Sequence, residues 1–436
     1  MIKFLKIILT GLITSLFLFP FNISGWPMNS KMTLAVIGLV WFVLDKIRSK
    51  NASLNKDFIW ISIIALGVSA VAQLAVAYNH TQETSYTDYF MSFWTWMGAA
   101  YAATNCIKAV HGKLTVRLIS NYLIGAAVFQ CITAYAIVIF EPVKEIVDSI
   151  SAIPYSEIGR LYGLGAFLDP SGLRFAAILI ITMRCISQSS QDWKASSLYV
   201  FAFFVISTIG SMISRSTSIG IILSLGYLII DFFLHYRKRS VYSGSILTIL
   251  ILSSIVIISI TFFYNTDSVF RENLRFGFEG VFSYFEHGHF ETNSTNYLKN
   301  MFVWPTELKT WIIGDGYLEN PYQDPNYLGI RYAGYYMGTD VGYLRFIFFF
   351  GIFGLLLMIC MFIKATLTCI HNIPEYKLLF SFILLSNLIC WIKVSSDIIM
   401  VFAPFLILAY QNSSARNLSV KTQNISSPSY AHKIYS

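Results

Sequence analysis

Five basic residues stand where apolar runs of this chain begin or end, and their type suits phosphate chemistry. Arg160 lies in Gly159-Arg160-Leu161-Tyr162-Gly163 and Arg174 near the start of an apolar run. Arg215 occupies the short turn Ile213-Ser214-Arg215-Ser216-Thr217. Arg345 heads another run, and Lys393 sits with Asp397 between two more. A guanidinium is a planar fork that grips two phosphate oxygens at once. Taken singly, each base could instead send its charged tip to lipid headgroups. Taken together they form a ring at one depth, where a lipid diphosphate would keep its head in water and its tail in hydrocarbon. If that diphosphate is a leaving group, the ring stabilises the charge developing on it without a metal. Attack by a sugar hydroxyl then needs a base. Asp340, in Gly338-Thr339-Asp340-Val341-Gly342, lies about one helical turn from Arg345. Asp340 is also placed to cap the helix that follows, and the two roles are compatible.

The elements that must position these residues are hydrophobic. The chain has 436 residues, 56% hydrophobic and 12% charged, with mean hydropathy +0.61. Soluble chains carry about a quarter charged residues, so the expected class is all-α, a polytopic membrane protein of about 12 transmembrane helices. The candidate spans are 3–21, 27–44, 58–77, 89–107, 118–140, 168–186, 197–213, 217–235, 243–264, 341–363, 377–393 and 395–411. The start resembles a signal peptide without a small-residue cleavage site, which reads as an uncleaved first span. Short basic segments such as Arg237-Lys238-Arg239 fix the orientation by the positive-inside rule. Both termini then lie in the cytoplasm, and the ring of bases faces outward. The net charge of +8 is accounted for by this topology and gives no reason to expect nucleic acid.

The organisation follows. Residues 1–264 hold nine spans with an outer loop at 141–167, residues 265–340 form a long periplasmic loop, 341–411 hold three spans, and 412–436 form a cytoplasmic tail. In the long loop, Val269, Phe270, Leu274, Phe278, Val281, Phe282 and Phe285 recur at helical spacing, predicting one amphipathic helix over 268–285. Its second half is rich in Tyr, Gly and Pro, which predicts tight turns. The tyrosines there suit either stacking on sugars or anchoring at the interface. The tail from Gln411 is rich in Ser and Asn and predicts disorder. All six cysteines fall outside the two long outer loops, no CxxC occurs, and no metal-ligand spacing is present. His287 and His289 read as solvated. Neither cofactor nor metal is expected.

Several short motifs, in order, carry a family resemblance. They are Arg160-Leu-Tyr-Gly163 with Phe167-Leu-Asp-Pro170-Ser171; Ser214-Arg215-Ser216-Thr217; Trp311-Ile-Ile-Gly314-Asp-Gly316-Tyr317; and Asp340-Val-Gly-Tyr-Leu344 running to Phe350-Gly351-Ile352-Phe353-Gly354. Over about residues 100–410 the chain resembles the bacterial O-antigen polymerase and O-antigen ligase superfamily. The chain has Ser171 where that family's element has Asn, and Asp340 where many members, ligases especially, have His. The resemblance implies an undecaprenyl-diphosphate-linked glycan as substrate, held by Arg160 and Arg215, in the bacterial inner membrane. It implies a polymerase that joins lipid-linked repeat units, in company with a chain-length regulator. The rival expectations are a ligase that transfers glycan to lipid A core and a flippase for lipid-linked glycan. Arg174, Arg345 and Lys393 are candidates on the charge argument alone.

Overall fold

The computed structural model describes residues 1–49, 55–151, 160–189, 192–235, 254, 257–324 and 327–426, the side chains of 235 and 414–426 excepted. Among the described residues the secondary structure is helical, with only isolated β-bridges such as Ile23 with Ser151. Six helices are long and apolar enough to cross a membrane: α3 (Lys56–Asn79), α5 (Val116–Ile139), α7 (Leu168–Gln188), α8 (Trp193–Ile213), α9 (Thr217–Leu234 of Thr217–His235) and α15 (Gly342–Asn372). The chain is a helical membrane protein on that evidence. The remaining longer helices are α1 (Ile2–Leu18), α2 (Ser30–Ser49), α4 (Tyr89–His111), α16 (Lys377–Cys390) and α17 (Ile399–Ser426). Of the expected run 243–264, the described part is Ser254 and a short apolar helix, α10 (Ile257–Thr266); the rest lies outside the described residues.

Helix boundaries follow local chemistry. The Asn55 side chain accepts from Asp57 N at 2.9 Å and opens α3, and Thr115 accepts from Leu118 N at 3.2 Å to open α5. Gly112, at φ 74°, closes α4 in the left-handed region. The centre of the bundle is α7, which packs against α5, α8, α9 and α16. It is the least hydropathic of the six spanning candidates, at 1.3, yet 89% of its best window is buried. Protein, not lipid, surrounds it, which is why it tolerates Asp169, Arg174 and Arg184.

Among its described residues the loop 265–340 contains four α-helices, with a boundary where one continuous helix is predicted. The stretch 268–285 splits into α11 (Ser268–Gly277) and α12 (Glu279–His287) at Phe278, whose φ −116° and ψ 27° leave the helical region. Gly277 abuts the backbone of Ser211 and Met212, so α11 ends docked on α8 and the chain must turn. Then come α13 (Asn293–Asn300) and α14 (Leu308–Ile312). The first outer loop likewise holds a helix, α6 (Glu141–Ile150), with Pro142 in its first turn. At the other end of the chain the expected disorder from Gln411 is corrected as far as Ser426, to which α17 runs on; residues 427–436 lie outside the described residues.

The span beginning at 341 is longer than its apolar core and is broken. Phe350 (φ −134°, ψ 20°) and Gly351 (φ 69°, ψ −173°) interrupt α15, leaving a short first segment that carries Arg345. The break frees carbonyls in an apolar setting, where each needs a donor. Asp315 N and Gly316 N supply them, donating to Phe348 O and Phe349 O. The motif around Gly314-Asp315-Gly316 and the motif at Phe350-Gly351 thus meet as one joint. Asp315 is fixed in turn by Lys309 Nζ at 2.7 Å, Thr310 Oγ1 at 2.8 Å and Tyr336 OH at 3.2 Å.

Candidate functional site

The site forms where the loops close over one end of the bundle. Arg160, Arg215, Arg345, Lys393, Asp169 and Asp340 all line one cavity of about 560 Å³. Phe276, Tyr297 and Tyr335 complete its working surface. Four of the five predicted bases and the predicted carboxylate therefore converge from four separate parts of the chain. Four cations against two carboxylates give the lining a formal charge of +2.

Each side chain is aimed by a specific partner. Arg215 Nε donates to Phe276 O at 3.0 Å, and its NH2 pairs with Glu279 at 2.8 Å. The guanidiniums of Arg215 and Arg160 both pack on the Phe276 ring, at 4.1 and 5.0 Å from its centroid. Partial burial lowers the Arg215 pKa from its ordinary value. Arg345 pairs with Glu319 at 2.7 Å and with Asp340 at 3.4 Å, and lies over the Tyr335 ring at 4.5 Å. Lys393 comes from the non-helical stretch between α16 and α17 and faces Asp169 at 3.4 Å. That stretch is pinned by Trp391 Nε1 donating to Ser396 O at 2.7 Å and Tyr86 OH donating to Ser395 O at 2.9 Å.

The two carboxylates differ in environment. Asp169, in the first turn of α7, accepts from Ser214 Oγ at 2.8 Å and Ser216 Oγ at 3.1 Å as well as facing Lys393. It ties the Arg215 turn to α7. Asp340 has a single long ionic contact, with Arg345, among the described residues. Burial pushes its carboxyl up to about 6, against the pull of Arg345 and with the help of the Asp169 charge. A carboxylate with such a pKa is ionised near neutrality yet basic enough to take a proton. Asp340 does not cap α15, whose N-cap is Val341; Thr339 Oγ1 instead accepts from Val341 N at 3.2 Å. Backbone strain lies beside both carboxylates. Leu168, at φ 52°, precedes Asp169, and Met337, at φ 53°, lies just upstream of Asp340. Left-handed non-glycine residues cost roughly 1–2 kcal/mol each and gather at sites held by their surroundings.

Arg174 is the predicted base that the structure removes from the ring. It is buried, lies 5.8 Å from the Phe19 ring, and its charge faces Asp397 rather than the cavity. The Asp397 carboxylate also feels the charge of Lys31 of α2. Asp397 accepts from Tyr89 OH at 3.0 Å within that second, buried cluster.

Sequence reasoning missed Asp169, Phe276, Tyr297 and Tyr335. A signal existed for Asp169: an acid opening an apolar run, opposite a turn with two serines. No sequence signal marked Phe276, whose role depends on α11 ending against α8. Ser171, at the departure from the family's Asn, is structural: its Oγ accepts from Phe167 N at 2.8 Å at the head of α7. The loop tyrosines are neither free platforms nor lipid anchors as a group. Tyr317, Tyr327 and Tyr336 pack on one another and, through Tyr336, on Phe348. His289 is exposed and pairs with Glu291 at 2.9 Å.

Comparison with known protein families finds no family model that matches this chain, and comparison with curated proteins finds no match.

Proposed function

We propose that this protein is a membrane glycosyltransferase of the polysaccharide-polymerase type, joining lipid-diphosphate-linked oligosaccharide repeat units at the periplasmic face of a bacterial inner membrane. The observation that carries this reading is the cavity of net charge +2, built at one end of a helical bundle with an underused, half-buried carboxylate in its wall. The charge matches a diphosphate, and the depth matches one tethered to a lipid.

In this mechanism Arg160, Arg215 and Lys393 hold the diphosphate of the donor, and Arg345 braces Asp340. A hydroxyl of the acceptor repeat unit attacks the anomeric carbon of the donor sugar. The new C–O bond forms as the bond to the diphosphate oxygen breaks, with inversion. Asp340 takes the hydroxyl proton, and the lipid diphosphate leaves with its charge spread over the bases. The bases take the place of a metal, so activity is expected to survive EDTA. Loss of activity, restored by a divalent ion, contradicts that part of the scheme.

The order of the helices supports twelve crossings with both termini on the side opposite the cavity. Lys364–Asp57 and Arg184–Asp231 pairs mark that opposite end. The test of function is the glycan profile of a deletion strain. A single repeat unit on lipid A core supports a polymerase. Full-length glycan left on the lipid carrier indicates a ligase, and repeat units trapped on the inner leaflet indicate a flippase.

A further inference from the structure

A second cavity of about 560 Å³ adjoins the first and shares Arg215 and Phe276 with it as a common wall. Its far side is made by α12 and the start of α13. The two cavities differ in chemistry. The first is net positive; the second is lined by three carboxylates, Glu279, Glu286 and Glu291, against two guanidiniums, Arg215 and Arg275. Both guanidiniums are already engaged. Arg215 pairs with Glu279 at 2.8 Å and Arg275 with Glu286 at 2.8 Å. Glu291 is held by the Asn296 amide and the His289 ring, and these contacts keep its carboxyl below the usual range. The ring of Phe282 offers no free platform, since Tyr264 stacks on it at 5.7 Å and Arg275 lies 5.0 Å from its centroid. What remains is polar groups: carboxylates, amides, hydroxyls and two imidazoles, which bind vicinal hydroxyls.

Building on the diphosphate reading above, we propose that this second cavity is the saccharide subsite for the donor's glycan and that it selects neutral or amino sugars over uronic acids. The glycan starts at the diphosphate, so the sugar next beyond the Arg215–Phe276 wall enters this space. Glu291 is the carboxylate without a cationic guanidinium partner, and it accepts from sugar hydroxyls or an amino group. A uronate placed there meets like charge, and an anionic lipid headgroup is disfavoured for the same reason.

The test uses the detergent-solubilised full-length protein and three probes: farnesyl diphosphate, the same lipid bearing cellobiose on its terminal phosphate, and the same lipid bearing cellobiouronic acid with the uronate distal. The cellobiosyl probe should bind about tenfold tighter than farnesyl diphosphate and about tenfold tighter than the uronosyl probe. Glu291→Gln should shrink both ratios while leaving the Kd for farnesyl diphosphate unchanged. Glu286→Gln with Glu291→Gln should erase the discrimination against the uronate. Equal binding of the three probes, or ratios that survive the double substitution, overturns the proposal. Failure of farnesyl diphosphate itself to bind or to compete with inorganic pyrophosphate instead overturns the diphosphate reading on which the subsite rests.

Discussion

Arg215 is the residue whose chemistry is most constrained by its surroundings. Its Nε serves Phe276 O, its NH2 serves Glu279, and its flat face covers Phe276. A lysine keeps the charge but loses the fork and the stacking face. Arg215→Lys is therefore expected to weaken farnesyl diphosphate binding by roughly 10- to 100-fold, the value of a charge-assisted contact or two; titration calorimetry giving an unchanged Kd would remove the bidentate role. Asp340 makes a different prediction, because its pKa of about 6 has consequences for both rate and stability. As a base it must be ionised, so kcat/KM should rise with pH through about 6 and level off above it. Stability runs the other way. The folded carboxyl binds its proton more tightly than an unfolded one, whose pKa is about 3.9. The folded state therefore holds more protons, and stability falls as pH rises from the lower value through the upper one. Asp340→Asn should thus abolish glycosyl transfer and raise Tm at about pH 7.5, with little effect on Tm at about pH 3, below both pKa values. A Tm that drops at the higher pH would show that the charged carboxylate stabilises the fold and would refute the burial argument.

At the scale of elements, the joint between the Gly314–Gly316 loop and the break in α15 orients Arg345. Gly351 has φ 69°, and a Cβ there would meet Ile312 O at 2.2 Å. Gly351→Ala should cost roughly 2–5 kcal/mol, combining a left-handed penalty with overpacking. Gly11→Ala is the control, since a Cβ there has nothing within 4 Å and helix propensity favours the change. Thermal melts in detergent should separate the two variants; a Gly351→Ala protein as stable as wild type would mean the joint is not rigid. The joint also marks what the sequence could and could not disclose. Both of its motifs are visible as glycine-bearing strings, because glycine is needed where backbones touch. That they touch each other is a tertiary fact, with no periodicity to announce it. The starts of α7 and α9 were legible because apolar runs meet polar turns abruptly, whereas α8 begins at Trp193, four residues before the expected 197. The split of α11 from α12 was not, because Phe278 continues the apolar pattern and only docking of Gly277 on α8 forces the turn. Arg174 misled for a related reason. Position along a span gives its depth but not its azimuth, and its azimuth turns it toward Asp397 instead of the cavity.

At the scale of the whole molecule, charge at the two ends does different work, and the proposed topology can be measured. The cavity end gathers residues 160, 169, 215, 340, 345 and 393. The opposite end closes on the Lys364–Asp57 and Arg184–Asp231 pairs. Tracing the described helices, α9 starts at the Arg215 turn and reaches Asp231 beside Arg184. Yet α11 is again at the cavity end, where Arg215 meets Phe276 and Glu279. The expected span 243–264 falls in the interval between them, and most of that run lies outside the described residues. Under the proposed twelve-span topology the C-terminus lies on the same side as the N-terminus. Fluorescent-protein fusions at both termini should then fluoresce in the cytoplasm, and alkaline phosphatase inserted after Gly288 should be active in the periplasm. Gly288 is a good insertion point because it closes α12 in the left-handed region and a Cβ there meets nothing within 4 Å. Inactive phosphatase at Gly288 with non-fluorescent termini would mean that the molecule sits in the membrane the other way round. The cavity would then face the cytoplasm, and the lipid-linked donor would have to be bound on the inner leaflet.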